Sequence, residues 1–323
     1  MIIHDNTDEV KDIRVPNQTI RAWYYLCMAT PSPCAKLLPD AFAAYGLEYL
    51  HEIPQPPEQL WLAGAPPPPE LPLLSVVGSR AYTSYGKQAV RDLIEGLRGR
   101  PVGIVSGLAR GIDGLAHEAA LQADLYTLAI PGSGLDPSVI YPRQHKGLAE
   151  RIVASGGGLL SELAPTTRAS KWTFPERNRL MAGLCRATLL IEASERSGTL
   201  ITARLTVEYD RDLLVVPGSI YSPQSRGTHQ FLKLGATPVT TSEDIAVALD
   251  LPDAVVADTT APTAQENLRP EAQHVLATLT TPTDIDGIIA ASGLPGHTVS
   301  AILMELEIDG YIHVINGLYQ ARI

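Results

Sequence analysis

The chain has 323 residues, 45% hydrophobic and 19% charged, with a formal net charge of −10. That is the composition of an ordinary globular protein large enough for two or three domains. No apolar run approaches the roughly 20 residues of a membrane-spanning helix, and the N-terminal MIIHDNTDEVKDIR is no signal peptide, so a cytoplasmic protein without a membrane partner is expected.

The charge is unevenly spread. Residues 74–245 carry 19 Lys and Arg against 16 Asp and Glu, residues 1–73 carry 4 against 9, and residues 246–323 carry 2 against 10. A polyanion should therefore meet the middle of the chain, while the acidic flanks suit protein contacts. The three cysteines, Cys27, Cys34 and Cys185, have no metal-ligand spacing and cannot all pair. They read as free thiols in a reducing compartment, and neither a metal nor a cofactor is expected.

In chain order, residues 1–65 show helical apolar patterns around Trp23–Leu26 and Ala41–Leu50, broken by Pro31, Pro33 and Pro39. They read as a small helical domain. A proline-rich connector from Pro54 to Pro72 reads as a stiff boundary. From 74 to 249 short apolar runs bounded by Gly or Pro alternate with helical patterns. The expected strands are Leu73–Val77, Gly103–Ser106, Leu125–Ile130, Gly158–Ser161, Ala187–Ile191, Asp212–Val216 and Thr237–Val239. After Thr83 or Ser84 as N-cap, Val90, Leu93, Ile94 and Leu97 mark one helix face. Such alternation predicts an α/β fold with a doubly wound, mostly parallel sheet, whose ligand sits beyond the C-terminal ends of the strands. A second linker, 252–270, reads as flexible. Three short helical patterns and a hairpin with an Asn316-Gly317 turn then predict a winged helix over 268–323.

The chemistry concentrates in loops that follow expected strands. Gly78-Ser79-Arg80 and Ser106-Gly107-Leu108-Ala109-Arg110-Gly111 each place glycine, a hydroxyl and an arginine where a strand turns into a helix. Backbone N–H groups and the helix dipole there favour an anion, and arginine suits phosphate. Arg110 either contacts phosphate or pairs with an internal carboxylate. Asp113 reads as the N-cap of a helix over Gly114–Leu121, and His117 as a buried or dimer-facing residue rather than a general base. A third loop runs through Ser197, Gly198 and Thr199, and a fourth through Pro217-Gly218-Ser219.

The segment Lys171-Trp172-Thr173-Phe174-Pro175-Glu176-Arg177-Asn178-Arg179 interleaves cations and aromatics just before a helix. In a single-strand groove cations track phosphates while an aromatic face stacks a base without reading its identity. The competing reading makes Trp172 and Phe174 core anchors and pairs the arginines with Glu162, Glu176 or Glu192.

These motifs, in this order, with Ala116-His117, Gly134-Leu135-Asp136, Tyr141-Pro142 and Ser197-Gly198-Thr199-Leu200-Ile201-Thr202-Ala203, resemble the DNA-processing protein A (DprA/Smf) family over roughly residues 74–245. The resemblance implies an extended Rossmann-like domain that binds single-stranded DNA, forms a homodimer, and loads a RecA-type recombinase in natural transformation. It implies DNA contacts by Arg80, Lys171 and Phe174, the positions that the loop chemistry singles out. It also implies a non-enzymatic protein. The alternative is a nucleotide phosphoribohydrolase of the lysine-decarboxylase-like group, whose Pro-Gly-Gly-x-Gly-Thr-x-x-Glu loop supplies an acid. Here Thr202 stands at the glutamate position. No carboxylate cluster suits a nuclease metal site, and the Gly-x-Gly-x-x-Gly dinucleotide spacing is absent.

Overall fold

The structure, a computed structural model, describes residues 34–253, 268–279, 281–308, 311–315 and 318–321. The readings made on Trp23–Leu26, Cys27, most of the 252–270 linker and the Asn316-Gly317 turn lie outside the described residues. The chain divides into two units at residues 255/256.

The first unit is built on a nine-stranded sheet. In chain order its elements are β1 (Ala35–Leu37), β2 (Leu60–Gly64), β3 (Leu73–Val77), α1 (Ser84–Glu95), β4 (Gly103–Ser106), α2 (Ile112–Gln122), β5 (Tyr126–Ala129), α3 (Lys146–Ala154) and β6 (Gly158–Ser161). There follow α4 (Thr173–Leu184), β7 (Ala187–Leu190), α5 (Thr199–Glu208), β8 (Asp212–Val215), α6 (Arg226–Lys233), β9 (Thr237–Pro238) and α7 (Ser242–Ala248). The spatial order is β1-β2-β6-β5-β4-β3-β7-β8-β9, parallel from β6 to β9 and antiparallel at β1 and β2. The chain winds outward from β3 to β6, then returns to place β7 beside β3. A crevice therefore opens beyond the carboxyl ends of β3 and β7, where ligands of such sheets bind.

All five residues of β3 are buried, which accounts for its unbroken apolar run. Leu73 and Val77 join the core on one face of the sheet, Leu74 and Val76 the core on the other. The outer face of the second layer is closed by Val90, Leu93, Ile94 and Leu97, the stripe expected on α1. Thr83 is the N-cap of α1, accepting from the Gly86 N–H at 3.2 Å.

Three sequence expectations are corrected. The described part of residues 1–65 is not a separate helical domain. Residues 39–51 form only short 3₁₀ turns, and β1 and β2 extend the main sheet while Phe42, Leu47, Leu50 and Ile53 pack into its core. The left-handed Gly46 (φ 63°) interrupts the 41–50 helical pattern before it can propagate. The proline-rich connector is no boundary either, because β2 lies inside it and pairs with β6 through Trp61↔Ser161 to Gly64↔Gly158. Asp113 is not an N-cap: α2 begins at Ile112 with Gly111 before it.

The second unit contains α8 (Pro270–Thr278), α9 (Ile285–Ser292), α10 (Gly296–Ile308) and the antiparallel pair β10 (Ile312–Ile315) and β11 (Leu318–Ala321). Thr283 bridges to Tyr319, adding a short third strand to the hairpin. Ala272, Val275, Ile288, Val299, Ile302 and Leu306 form its core, and Asp284 caps α9 through the Gly287 N–H at 2.8 Å. Three helices and a hairpin make the expected winged helix. Among the described residues no single helix is long and apolar enough to cross a membrane.

Candidate nucleic-acid interface

A cavity of about 420 Å³ lies at the crevice between the ends of β3 and β7. Gly78, Ser79 and Arg80 form one wall, Ser197, Gly198 and Thr199 another, and Phe174, Arg177 and Asn178 of α4 a third. The loops hold one another in place. Ser79 donates through Oγ to Gln224 Oε1 at 3.0 Å and accepts from the Ala81 N–H at 3.0 Å. Thr199 donates through Oγ1 to the Gly78 carbonyl at 3.0 Å, and its N–H donates to Ser197 Oγ at 3.2 Å. Gly111 has φ 86°, and a Cβ there would lie 2.3 Å from the Ser79 carbonyl oxygen. Only glycine fits against the arginine loop at this point.

Arg80 is exposed, and its guanidinium lies 5.2 Å from the Phe174 ring centroid. Gly132 backs that ring, since a Cβ there would come within 2.5 Å of Phe174 Cδ1. The Tyr141 ring stands 5.7 Å from Phe174. Lys171 is exposed with its ammonium 4.8 Å from the Trp172 ring, and Trp172 is 69% exposed. Trp172 is therefore not a core anchor. The rim carries cations lying on aromatic faces, and none of Arg80, Lys171 or Arg110 pairs with a carboxylate among the described residues.

Other expected site residues are engaged within the protein. Ser106 is fully buried and donates to the Val76 carbonyl at 2.6 Å, tying β4 to β3. Gly107 makes room for Arg177, whose Nη1 would lie 1.9 Å from a Cβ there. Neither lines the cavity. Arg177 is buried and donates to the Ile130 carbonyl, while Arg179 reaches Glu162 Oε1 at 2.6 Å and the Gln55 carbonyl at 2.8 Å. Arg110 is exposed, away from the cavity lining.

Beneath the rim, burial raises the Asp113 carboxyl above its ordinary value, and the opposing Arg177 charge and backbone donors do not cancel it. Burial likewise lowers Arg177 to about 10, with Asp113 counteracting and Arg80 adding to the drop. Glu192 accepts from the Thr83 N–H at 2.9 Å and Oγ1 at 2.6 Å, so this buried carboxylate fixes the start of α1. Among the described residues Asp113 is the one acid lining the cavity, and Thr202 also lines it. No cluster of His, Cys, Asp or Glu among the described residues could hold a metal ion. Cys34 and Cys185 are free thiols, half-buried and buried.

Gln224 and Tyr141 are the residues that the loop chemistry missed. Gln224 has no motif around it, and Tyr141 stands out only within the family pattern.

The sequence pattern of DNA recombination-mediator protein A matches residues 41–250, and that of the DprA winged helix domain matches residues 259–317. The chain belongs to the DNA recombination-mediator protein A (DprA) family. It is 39% identical to Protein Smf of Escherichia coli over 251 residues, 76% of this chain and 67% of that protein. It is 43% identical to DNA processing protein DprA of Streptococcus pneumoniae over 196 residues, 61% of this chain and 68% of that protein. The X-ray structure of the Streptococcus pneumoniae DprA superposes with a TM-score of 0.58 at 41% identity, covering 62% of this chain and 69% of that one. DprA from Helicobacter pylori, solved to describe its single-stranded DNA binding mode, superposes with a TM-score of 0.57 at 29% identity, covering 67% and 95%.

Proposed function

We propose that this DprA-family chain is a recombination mediator that binds single-stranded DNA at the β3/β7 crevice. It acts without catalysing a reaction of its own. The observation that carries the reading is the Arg80 guanidinium resting 5.2 Å over the Phe174 ring at the mouth of the cavity. One element thus offers a phosphate-binding charge, the other a stacking face for a base. Lys171 neutralises a neighbouring phosphate, and Ser79, Ser197, Gly198 and Thr199 hold the backbone over the start of α5. A duplex has no unstacked base to offer Phe174, so the groove favours single strands. Arg177 and Arg179 are held by the Ile130 carbonyl and by Glu162, so they brace α4, while Asn178 in the cavity wall is free to meet the strand.

Further steps rest on the family membership. The chain protects incoming single strands in the cytoplasm, acts as a homodimer, and hands the strand to a RecA-type recombinase during natural transformation. One narrow basic groove binds weakly alone, and dimerisation supplies avidity. The acidic winged helix suits a protein contact better than DNA. The hydrolase alternative has no support from the cavity wall, because Thr202 brings no carboxylate and the Asp113 carboxyl is occupied by backbone donors from Ala109 and Gly107.

The test is fluorescence anisotropy of labelled oligo-dT and of a duplex across salt concentrations, with wild type and the Arg80→Ala/Lys171→Ala protein. Single-strand preference that falls with salt and collapses in the double variant is the expected result. Equal binding by variant and wild type would overturn the assignment.

A further inference from the structure

Among the arginines of the first unit two sets stand out, while Arg168, Arg186 and Arg204 are exposed and belong to neither. Arg91, Arg98, Arg100, Arg151 and Arg211 each pair with a carboxylate away from the crevice. In contrast, each loop leaving the carboxyl end of β6, β5, β4, β3, β7 and β8 carries an exposed cation with no carboxylate partner among the described residues. In sheet order these are Lys171, Arg143, Arg110, Arg80, Arg196 and Arg226. They form a row across the sheet edge, and two of them, Arg196 and Arg226, lie beyond the cavity on the β7 and β8 side.

That side is held firmly against the cavity. The Ala193 N–H donates to the Gln224 carbonyl at 2.8 Å, and the Gly227 N–H donates to the Ala193 carbonyl at 2.8 Å. Gln224 itself receives Ser79 Oγ, and Tyr85 donates through Oη to the Pro217 carbonyl at 2.5 Å. Arg226 therefore opens α6 from a loop anchored to the arginine loop of β3. The same loop presents Tyr221, 88% exposed, and Ile220, 75% exposed, with no protein cover.

We propose that the bound single strand continues past the cavity over the β7 and β8 loops, with phosphates on Arg196 and Arg226 and a base stacked on Tyr221. The inference rests on the single-strand reading of the cavity and extends its footprint. β8 lies two strands from β3, about 10 Å away. At the roughly 3.4 Å per nucleotide of a duplex strand that distance is about three nucleotides, and fewer when the strand is stretched. A single strand is the occupant that an unpaired cation row with an exposed aromatic at its end fits, and the patch is continuous with the cavity rim.

The experiment compares oligo-dT of about 4 and about 16 nucleotides, the two ends of ordinary single-strand footprints. Arg196→Ala/Arg226→Ala should lower the salt slope of the longer strand by about 1.4, two phosphates at 0.7 each, and leave the shorter strand nearly unchanged. Tyr221→Ala should weaken the longer strand about 5-fold or more without changing its slope. Glu195, the exposed acid beside Arg196, gives a test of opposite sign: Glu195→Gln should tighten the longer strand. All four are surface residues, and unchanged thermal melting confirms the fold. If Arg80→Ala abolishes both lengths while these variants bind the longer strand like wild type, the extension is wrong and the cavity reading stands. If Arg80→Ala leaves both lengths unaffected, the underlying reading fails first.

Discussion

Arg80 and Phe174 stand 94 positions apart in the sequence, yet the guanidinium of one lies over the ring of the other at 5.2 Å. The contact pre-orients a planar cation for phosphate and leaves part of the ring for a base. Lysine keeps the charge but not the planar stacking or bidentate geometry. Arg80→Lys should therefore weaken oligo-dT binding about 2- to 30-fold with the salt slope retained. Arg80→Ala should weaken it further and lower the slope by about 0.7. Anisotropy titrations at several salt concentrations separate the two, and a lysine variant equal to wild type would show that charge alone suffices.

The ring's position depends on a glycine that touches no ligand. Gly132→Ala would bring a Cβ to 2.5 Å from Phe174 Cδ1 and push the ring off its seat. The expected outcome is loss of about 1–3 kcal/mol of single-strand affinity, comparable to Phe174→Ala, with the salt slope unchanged in both. A Gly132→Ala protein that binds like wild type would mean that the ring has room to move without cost to binding.

Acid should destabilise the central domain through His117. This side chain is fully buried, its Nδ1 lies 2.8 Å from Thr127 Oγ1, and burial lowers it from 6.5 to about 3. The unfolded chain binds the proton first, so the stability due to neutral His117 is present above pH 6.5 and is lost as pH falls toward 3. At about 1.4 kcal/mol per pKa unit the loss is on the order of 5 kcal/mol. Denaturant melts across this range should show that acid limb, and His117→Gln should flatten it.

The parallel sheet was legible because buried strands must be short, apolar and bounded by Gly or Pro, as β3, β4 and β6 are. The N-terminal block was misread because the 41–50 apolar spacing fits a helix, while the turn at Gly46 and the pairing of β2 with β6 depend on contacts remote in sequence. In the site, Arg80 and Lys171 stood out because a charge has no use in a core, and Phe174 because it is interleaved with such cations. Ser106, Gly107 and Arg177 carry the same residue types but point inward. Only the packing of Arg177 into the space that Gly107 leaves reveals that.

Arg179 offers a contrast with Lys171, eight positions before it in the same segment. It is held by Glu162 and the Gln55 carbonyl, joining α4 to the strand β6 side and to the N-terminal turns. Arg179→Ala should cost about 1.5–3 kcal/mol of stability through lost charged hydrogen bonds, read by urea unfolding, while the salt slope for DNA stays put. Lys171→Ala should do the reverse, leaving stability unchanged and lowering the slope by about 0.7. A slope change in the Arg179 variant would move this arginine to the contact surface.

Two glycines in the interface serve opposite purposes, and alanine separates them. At Gly111, φ 86° and the 2.3 Å approach to the Ser79 carbonyl make any Cβ a source of strain. Gly111→Ala should lower stability by about 1–3 kcal/mol and displace the Arg80 loop. At Gly198, φ is −59° and a Cβ would meet no protein atom within 4 Å, so alanine fits the fold and should leave stability unchanged or slightly raised. That open space lies at the first turn of α5, where backbone N–H groups face the cavity rim. If a phosphate settles there, the methyl group of Gly198→Ala stands in its way, and single-strand affinity should fall although the melting temperature does not. Unchanged affinity in a fully stable Gly198→Ala protein would show that the strand passes over Arg80 and Phe174 without descending onto α5.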